Sequence, residues 1–436
     1  MLKKYFKLDE KKTTVRTEII AGVTTFLTMA YIIFVNPDIL GATGMDHGAL
    51  VVATCLAASV GTILVGIFAN APIAMAPGMG LNAFFAYSLV LSGKVNWQTA
   101  LGIVFLSGLL FLGLTLTGLR KRLVEAIPRG LITAISVGIG IFITFIGLVN
   151  LGLIKDHPVT LVTVGALSPT ILIGLCGLIA MLVLEARKIP GSLLLGILVS
   201  TILAAVFGLI EKPTALFSAN IDVTAVAFQL DIIGALKWSL ASALFSLMFT
   251  DLFDSIGTLV ACCDRADMSD ETGNIKGIGR LLGIDAVATM LGALLGTSTT
   301  TAYVESTTGI EQGGRSGLTA VVCGLLFLPA MFFVPAIGSV PTYAIAPALI
   351  MVGFFMMKGV KNINFDDVSE AFPAFIIIAM IPLSYSISTG LAYGFCSFVI
   401  IKLLVGQLRD IKPAMWIIAI LSFLFLAQDG ITQLLG

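Results

Sequence analysis

Charge is what this chain has least of. Only 11% of its 436 residues are Asp, Glu, Lys or Arg, against about 25% in an ordinary soluble domain, while 58% are hydrophobic and the mean hydropathy is +1.05. That balance excludes a soluble globular protein and leaves a polytopic membrane protein with little mass outside the bilayer. Basic and acidic residues number 25 each, so the chain lacks the net positive charge that a nucleic-acid partner calls for. Histidine is almost missing: His47 and His157 both fall in loops between apolar runs, which excludes a histidine proton relay, a histidine metal site and an intramembrane Ser–His hydrolase. The six cysteines (Cys55, Cys176, Cys262, Cys263, Cys323, Cys396) lie in or beside apolar runs without CxxC pairing. They read as small packing residues, not as a disulfide or metal framework.

Long apolar runs are what the chain has in abundance. Spans are expected near 17–38, 49–69, 72–91, 98–118, 129–150, 169–186, 191–210, 237–261, 280–296, 297–312, 316–336, 341–357, 371–387 and 389–405, fourteen in all. A shorter apolar run at 416–426 reads as an interfacial helix or a fifteenth element. Lys and Arg placement supports the count, because cytoplasmic loops collect them. With the N-terminus in the cytoplasm, about 21 basic residues fall inside, including Arg120, Lys121, Arg122, Lys276 and Lys402, and only Lys94, Lys155, Lys212 and Lys237 fall outside. The basic amphipathic start, residues 1–12, has no signal-peptide cleavage pattern and is expected at the cytoplasmic surface. The longest outer loop is expected near 211–236.

Two spans cannot be smooth helices. The first, 71–85, carries Pro77, Gly78 and Gly80; the second, 296–310, is full of hydroxyls and carries Glu305. Irregular backbone at membrane depth is tolerated only where it is buried in protein or lines a cavity. An ionisable residue there costs about 3 kcal/mol or more to insert, so Glu305 is expected in a substrate site. The breaks are offset by about 225 residues, roughly half the chain, and each is the third span of a seven-span half, the pattern of an inverted repeat. Helix restarts are expected near Met79 and Val304, with positive dipole ends aimed into the gap. Extended pieces at 73–76 and 298–301 are expected to pair.

The other concentration of charge is in the eighth span, where Asp251 and Asp254 lie about one turn apart on one helix. One is expected to hold the substrate and the other to position it or to carry a proton, since neighbouring carboxylates in low dielectric rarely ionise together. Asn82, just past the first break, offers a donor and an acceptor. Asp285 reads as a structural partner for a neighbouring helix, and Thr25, Thr28 and Tyr31 as packing residues or cavity lining. Glu125 and Glu185 read as surface charges. Asp251, Asp254, Asp285 and Glu305 are taken as the ionisable residues within the spans.

Five segments, at 21–32, 36–38 (Asn-Pro-Asp), 76–85 (Ala-Pro-Gly-Met-Gly-Leu-Asn-Ala-Phe-Phe), 251–259 (Asp-Leu-Phe-Asp-Ser-Ile-Gly-Thr-Leu) and 297–306 (Thr-Ser-Thr-Thr-Thr-Ala-Tyr-Val-Glu-Ser), resemble the AzgA-like branch of the nucleobase–cation symporter and nucleobase–ascorbate transporter family. The resemblance covers nearly the whole chain. It implies an all-α polytopic fold with a seven-plus-seven inverted repeat. After a cytoplasmic segment at 1–16, a core domain would comprise 17–118 and 237–336 and a gate domain 119–236 and 337–436. It further implies that Glu305 and an eighth-span acid are the base-binding carboxylates and Asn82 a third contact; Tyr303 and Thr28 are taken beside them as substrate-binding candidates. Asp251, Asp254 and Glu305 would be the proton-coupling groups. The uracil and xanthine branches place a Glu-His pair where this chain has Asp254-Ser255, which argues against those substrates. The expectation is a plasma-membrane importer of adenine, guanine or hypoxanthine driven by protons, without cofactor, metal or catalysis, and compatible with a homodimer.

Overall fold

The computed structural model describes residues 2–118, 127–210, 215–219, 221–237, 240–268, 275 and 277–435. Arg120, Lys121, Arg122, Glu125, Lys212 and Lys276 lie outside the described residues. The described chain is mostly helical. In order, the larger elements are α1 (Val15–Met29), α2 (Ile32–Gly41), α3 (His47–Leu64), β1 (Met75–Pro77), α4 (Met79–Ala83), α5 (Trp97–Leu116), α6 (Arg129–Leu151), β2 (Ile154–His157), β3 (Leu161–Val164), α7 (Pro169–Ala186), α8 (Ser192–Val206), α9 (Ala241–Arg265) and α10 (Ile278–Leu295). They are followed by β4 (Thr300–Ala302), α11 (Ser306–Glu311), α12 (Gly317–Ala330), α13 (Thr342–Met357), α14 (Val368–Leu383), α15 (Ile387–Leu404) and α16 (Pro413–Leu435).

Ten helical stretches among the described residues are long and apolar enough to cross a bilayer, and Met79–Val90, Ser192–Val206, Val368–Leu383 and Pro413–Ala427 are shorter apolar helices. The apolar run at 416–426 is thus part of α16. Local signals explain the boundaries. Asp46, Asn96 and Ser168 accept from the backbone N–H three residues on and so cap α3, α5 and α7. Gly152 and Gly296 end α6 and α10 with φ of 83° and 88°, a left-handed turn that glycine adopts without a Cβ clash.

Packing divides the helices into two groups. In one, α10 lies on α3 and α5, and α12 lies on α1 and α3; in the other, α6 is flanked by α13 and α14, α7 packs on α8 and α13, and α14 packs on α15. β1 and β4 meet deep in the first group.

The two strands pair antiparallel, Met75 with Ala302, Ala76 with Thr301 and Pro77 with Thr300. The pairing runs one to two residues later than 73–76 with 298–301. Ala74 N–H is instead taken by Ser306 Oγ at 3.0 Å, and Tyr303 N–H reaches Ala74 O at 2.9 Å. Side chains supply what a two-stranded ladder leaves open. Thr62 Oγ1 accepts from Met75 N–H at 2.8 Å and donates to Met75 O at 2.9 Å, and Thr289 donates to Thr300 O at 3.1 Å. Ser255 and Thr301 hydroxyls lie 2.7 Å apart, tying α9 to β4.

Candidate functional site

Where β1 and β4 end, the chain opens a cavity of about 270 Å³. Its walls are the start of α4 (Gly78 to Leu81), one face of α9, the segment 302–305 after β4, and, from the other helix group, Ser136 and Ile139 of α6 with Phe355 and Met356 of α13. Two carboxylates line it, Asp254 and Glu305, together with Tyr303.

Glu305 occupies the residue before α11, whose backbone it does not cap with its side chain. Its Oε1 instead accepts from the hydroxyl of buried Tyr31 at 2.5 Å. Tyr303 donates to Pro77 O at 2.5 Å and its own carbonyl accepts from Cys262 Sγ at 3.7 Å, so its ring is fixed between the first break and α9. Helix restart at Met79 agrees with the sequence expectation. The second restart is at Ser306, not Val304, and α11 runs only six residues; a sustained dipole end therefore faces the cavity from Met79 alone, where α4 continues through Val90.

The remaining expected residues sit elsewhere. Asp251 is fully buried beside Thr289, whose hydroxyl lies 3.4 Å from its Oδ2. Asn82 is buried and donates to Asn36 Oδ1 at 2.6 Å while accepting from Ser298. Asn36 in turn reaches Thr54 and Thr297 at 2.6 and 2.9 Å, so Asn82 joins a polar cluster tying α2, α3 and α4 to the second break, behind the cavity wall. Thr28 donates back to Thr24 O and Thr25 O at 3.1 and 2.8 Å. Asp285 is buried on α10.

Glu18 is a further acid within the spans, one that the sequence reading passed over. It lies in α1, fully buried, and accepts from Arg315 N (2.9 Å), Ser316 N (3.2 Å), Ser316 Oγ (2.7 Å), Thr319 N (3.2 Å) and Thr319 Oγ1 (2.6 Å). A carboxylate holding the N-terminal donors of α12 stabilises that helix end. The signal was present: Glu18 is the second residue of the expected first span, 17–38.

Farther along the helices from the cavity, the two groups touch each other. Ser88 donates to Tyr385 O at 2.7 Å, the Tyr385 ring stands 5.5 and 5.4 Å from Phe142 and Phe145, and Thr342 donates to Asp38 Oδ1 at 2.8 Å. At 1.5 Å per residue, Phe145 lies roughly 9 Å beyond Ile139 and Thr342 roughly 20 Å beyond Phe355. These contacts lie on one side of the cavity, while Gly257, Ala261 and Val304 of its lining are exposed.

The architecture is one that solved membrane transporters share. The transmembrane domain of a cyanobacterial bicarbonate transporter, BicA, superposes with a TM-score of 0.63 at 17% identity, covering 86% of this chain and 96% of that one. A murine Slc26a9 anion transporter in the inward-facing state gives 0.63 at 8% identity, covering 90% and 68%; at such identity the likeness shows the fold alone. Sequence defines the family. Residues 16–393 match the Permease family, Xan_ur_permease, and the chain belongs to it. Adenine permease AdeP of Escherichia coli is 44% identical, covering 97% of this chain and 95% of its own. Guanine/hypoxanthine permease PbuG of Bacillus subtilis is 41% identical, covering 98% and 100%. A putative permease of Methanocaldococcus jannaschii is 44% identical, covering 97% of each.

Proposed function

We propose that this chain is a proton-coupled importer of purine nucleobases, working by alternating access. The observation that carries the reading is the pair Asp254 and Glu305 lining one small cavity in a chain whose relatives are named for adenine and for guanine and hypoxanthine. A purine edge presents ring N–H and exocyclic amino donors, and a carboxylate accepts from two of them at once. At about 270 Å³ the cavity is just below the usual range of ligand sites, roughly 300–1,000 Å³, and suits one planar base. Phe253 and Phe355 bring apolar rings to its faces. An anion would meet two acidic side chains there, which is why the anion-transporter fold does not carry over as function.

In this reading the α1–α5 and α9–α12 helices are a core that carries the base, and the others a gate against which the core moves, within a fourteen-span inverted repeat. Asp254 and Glu305 belong to the core, Ser136, Ile139, Phe355 and Met356 to the gate. The cavity opens toward the Arg265 end, the cytoplasmic side by the placement of basic residues, and the Ser88–Tyr385 and Asp38–Thr342 contacts close the outer side. Protons couple through the acids of α9 and Glu305 in the plasma membrane. Radiolabelled uptake into proteoliposomes, with adenine, guanine, hypoxanthine, xanthine, uracil and bicarbonate as competitors under imposed proton or sodium gradients, tests it. Competition by adenine, guanine or hypoxanthine under a proton gradient is the expected result; competition by xanthine, uracil or bicarbonate instead, or driving by sodium, refutes it.

A further inference from the structure

We propose that Tyr31 is the positioning residue of the site: its phenol fixes one oxygen of Glu305 so that the other is presented to the cavity as the acceptor for a ring N–H. This rests on Glu305 being the base-binding carboxylate.

Tyr31 sits where the first span breaks. α1 stops at Met29 and α2 begins at Ile32, and the fully buried Tyr31 ring is at that junction. The hydroxyl reaches Glu305 Oε1, 274 positions away, at 2.5 Å, a short O–H···O hydrogen bond. Glu305 lines the cavity and Tyr31 does not, so the phenol holds the carboxylate from behind and leaves its front to a ligand.

Among the described residues Tyr31 is the only side chain that holds the Glu305 carboxylate, beside a bond from Glu305's own backbone N–H. Glu305 precedes a helix of six residues and makes no side-chain cap to it, so without Tyr31 a long flexible side chain would have to be ordered by the ligand itself, which weakens binding. α1 already holds the same segment through the backbone. A Cβ on Gly309 of α11 would fall 2.6 Å from Ala21 O, so α11 is seated against α1, which stops two residues before Tyr31. The first span thus fixes both the main chain near Glu305 and the Glu305 carboxylate.

The test is equilibrium binding to purified parent, Tyr31→Phe, Tyr31→His and Glu305→Gln. The ligands are the purine that competes best in uptake and its ring-N-methylated analogues, with melting temperature recorded for each variant. Tyr31→Phe keeps the buried ring and is expected to weaken purine binding about tenfold or more, the loss of a hydrogen bond to a charged group. It should weaken the analogue lacking the contacted N–H much less, so discrimination collapses. Tyr31→His, which keeps a ring donor, is expected to retain more discrimination than Tyr31→Phe and stands in for it if that variant does not fold. Equal losses for purine and all analogues, or no more discrimination with His than with Phe, overturn the assignment. Parental affinity in Tyr31→Phe with binding lost in Glu305→Gln overturns Tyr31 alone. Parental binding in Glu305→Gln overturns the Glu305 reading and this proposal with it.

Discussion

Asp251 and Asp254 lie three residues apart on α9, yet Asp254 faces the cavity and Asp251 is closed off from it against Thr289 of α10. Helical geometry explains the division. The cavity takes Thr250, Phe253, Asp254, Gly257, Thr258 and Ala261 from α9, spacings of three and four that trace one stripe. Asp251 is about 100° round the helix from Thr250, off that stripe and on the side where α10 packs. The two acids are therefore expected to respond differently to the same change. Asp254→Asn should weaken purine binding about tenfold or more by replacing an acceptor oxygen with a donor. Asp251→Asn should leave equilibrium binding near parental and reduce uptake driven by an acidic outside. Filter binding and proteoliposome uptake, run on the same preparations, check both; indistinguishable variants would contradict the geometry.

Glu305→Gln keeps the shape of the side chain but substitutes an amide group for one oxygen. A buried ring N–H left without an acceptor costs about 1–3 kcal/mol, or roughly tenfold to a hundredfold in affinity, and concentrative uptake is expected to be lost. Accumulation at the parental rate would make Glu305 a structural residue.

Glu18 predicts a loss of stability without a loss of specificity. Its carboxylate accepts five hydrogen bonds from Arg315, Ser316 and Thr319. Glu18→Ala leaves buried donors unpaired at about 1–3 kcal/mol each, partly relieved by water. The melting temperature in detergent should fall by several degrees, while the folded fraction keeps the parental ranking of purines. A changed ranking would place Glu18 in the substrate pathway.

Gly309 has no room for a side chain. A Cβ there would meet Thr25 Oγ1 and would lie 2.6 Å from Ala21 O, and backbone cannot yield as a side-chain end can. Gly309→Ala is expected to push α11 away from α1 and with it the Glu305–Tyr31 contact, lowering purine affinity more than Glu18→Ala does. Gly257→Ala, where a Cβ would meet nothing within 4 Å, is the matched control for adding a methyl group near the cavity and should keep the parental stability. Binding isotherms and melting curves on the three variants distinguish these outcomes.

Local chemistry made much of this protein readable in one dimension. Hydropathy declares the membrane, Pro77 with Gly78 and Gly80 declares a broken span and its restart at Met79, and an acid in a hydroxyl-rich break declares Glu305, because each is a property of neighbours along the chain. What faces what was decided only by the tertiary structure. The rotation of α9 about its own axis, which turns Asp251 to Thr289 of α10, put Asp254 rather than Asp251 on the cavity. The strand register followed from Ser306 taking Ala74 N–H, across 232 positions. Asn82 offered the same donor and acceptor to a ligand or to Asn36 and Ser298, and packing brought the latter two within reach. Tyr31 and Glu18 were ordinary residues of an apolar helix until folding brought Glu305 and the start of α12 to them, 274 and 297 or more positions away; no pattern along the sequence encodes contacts of that span.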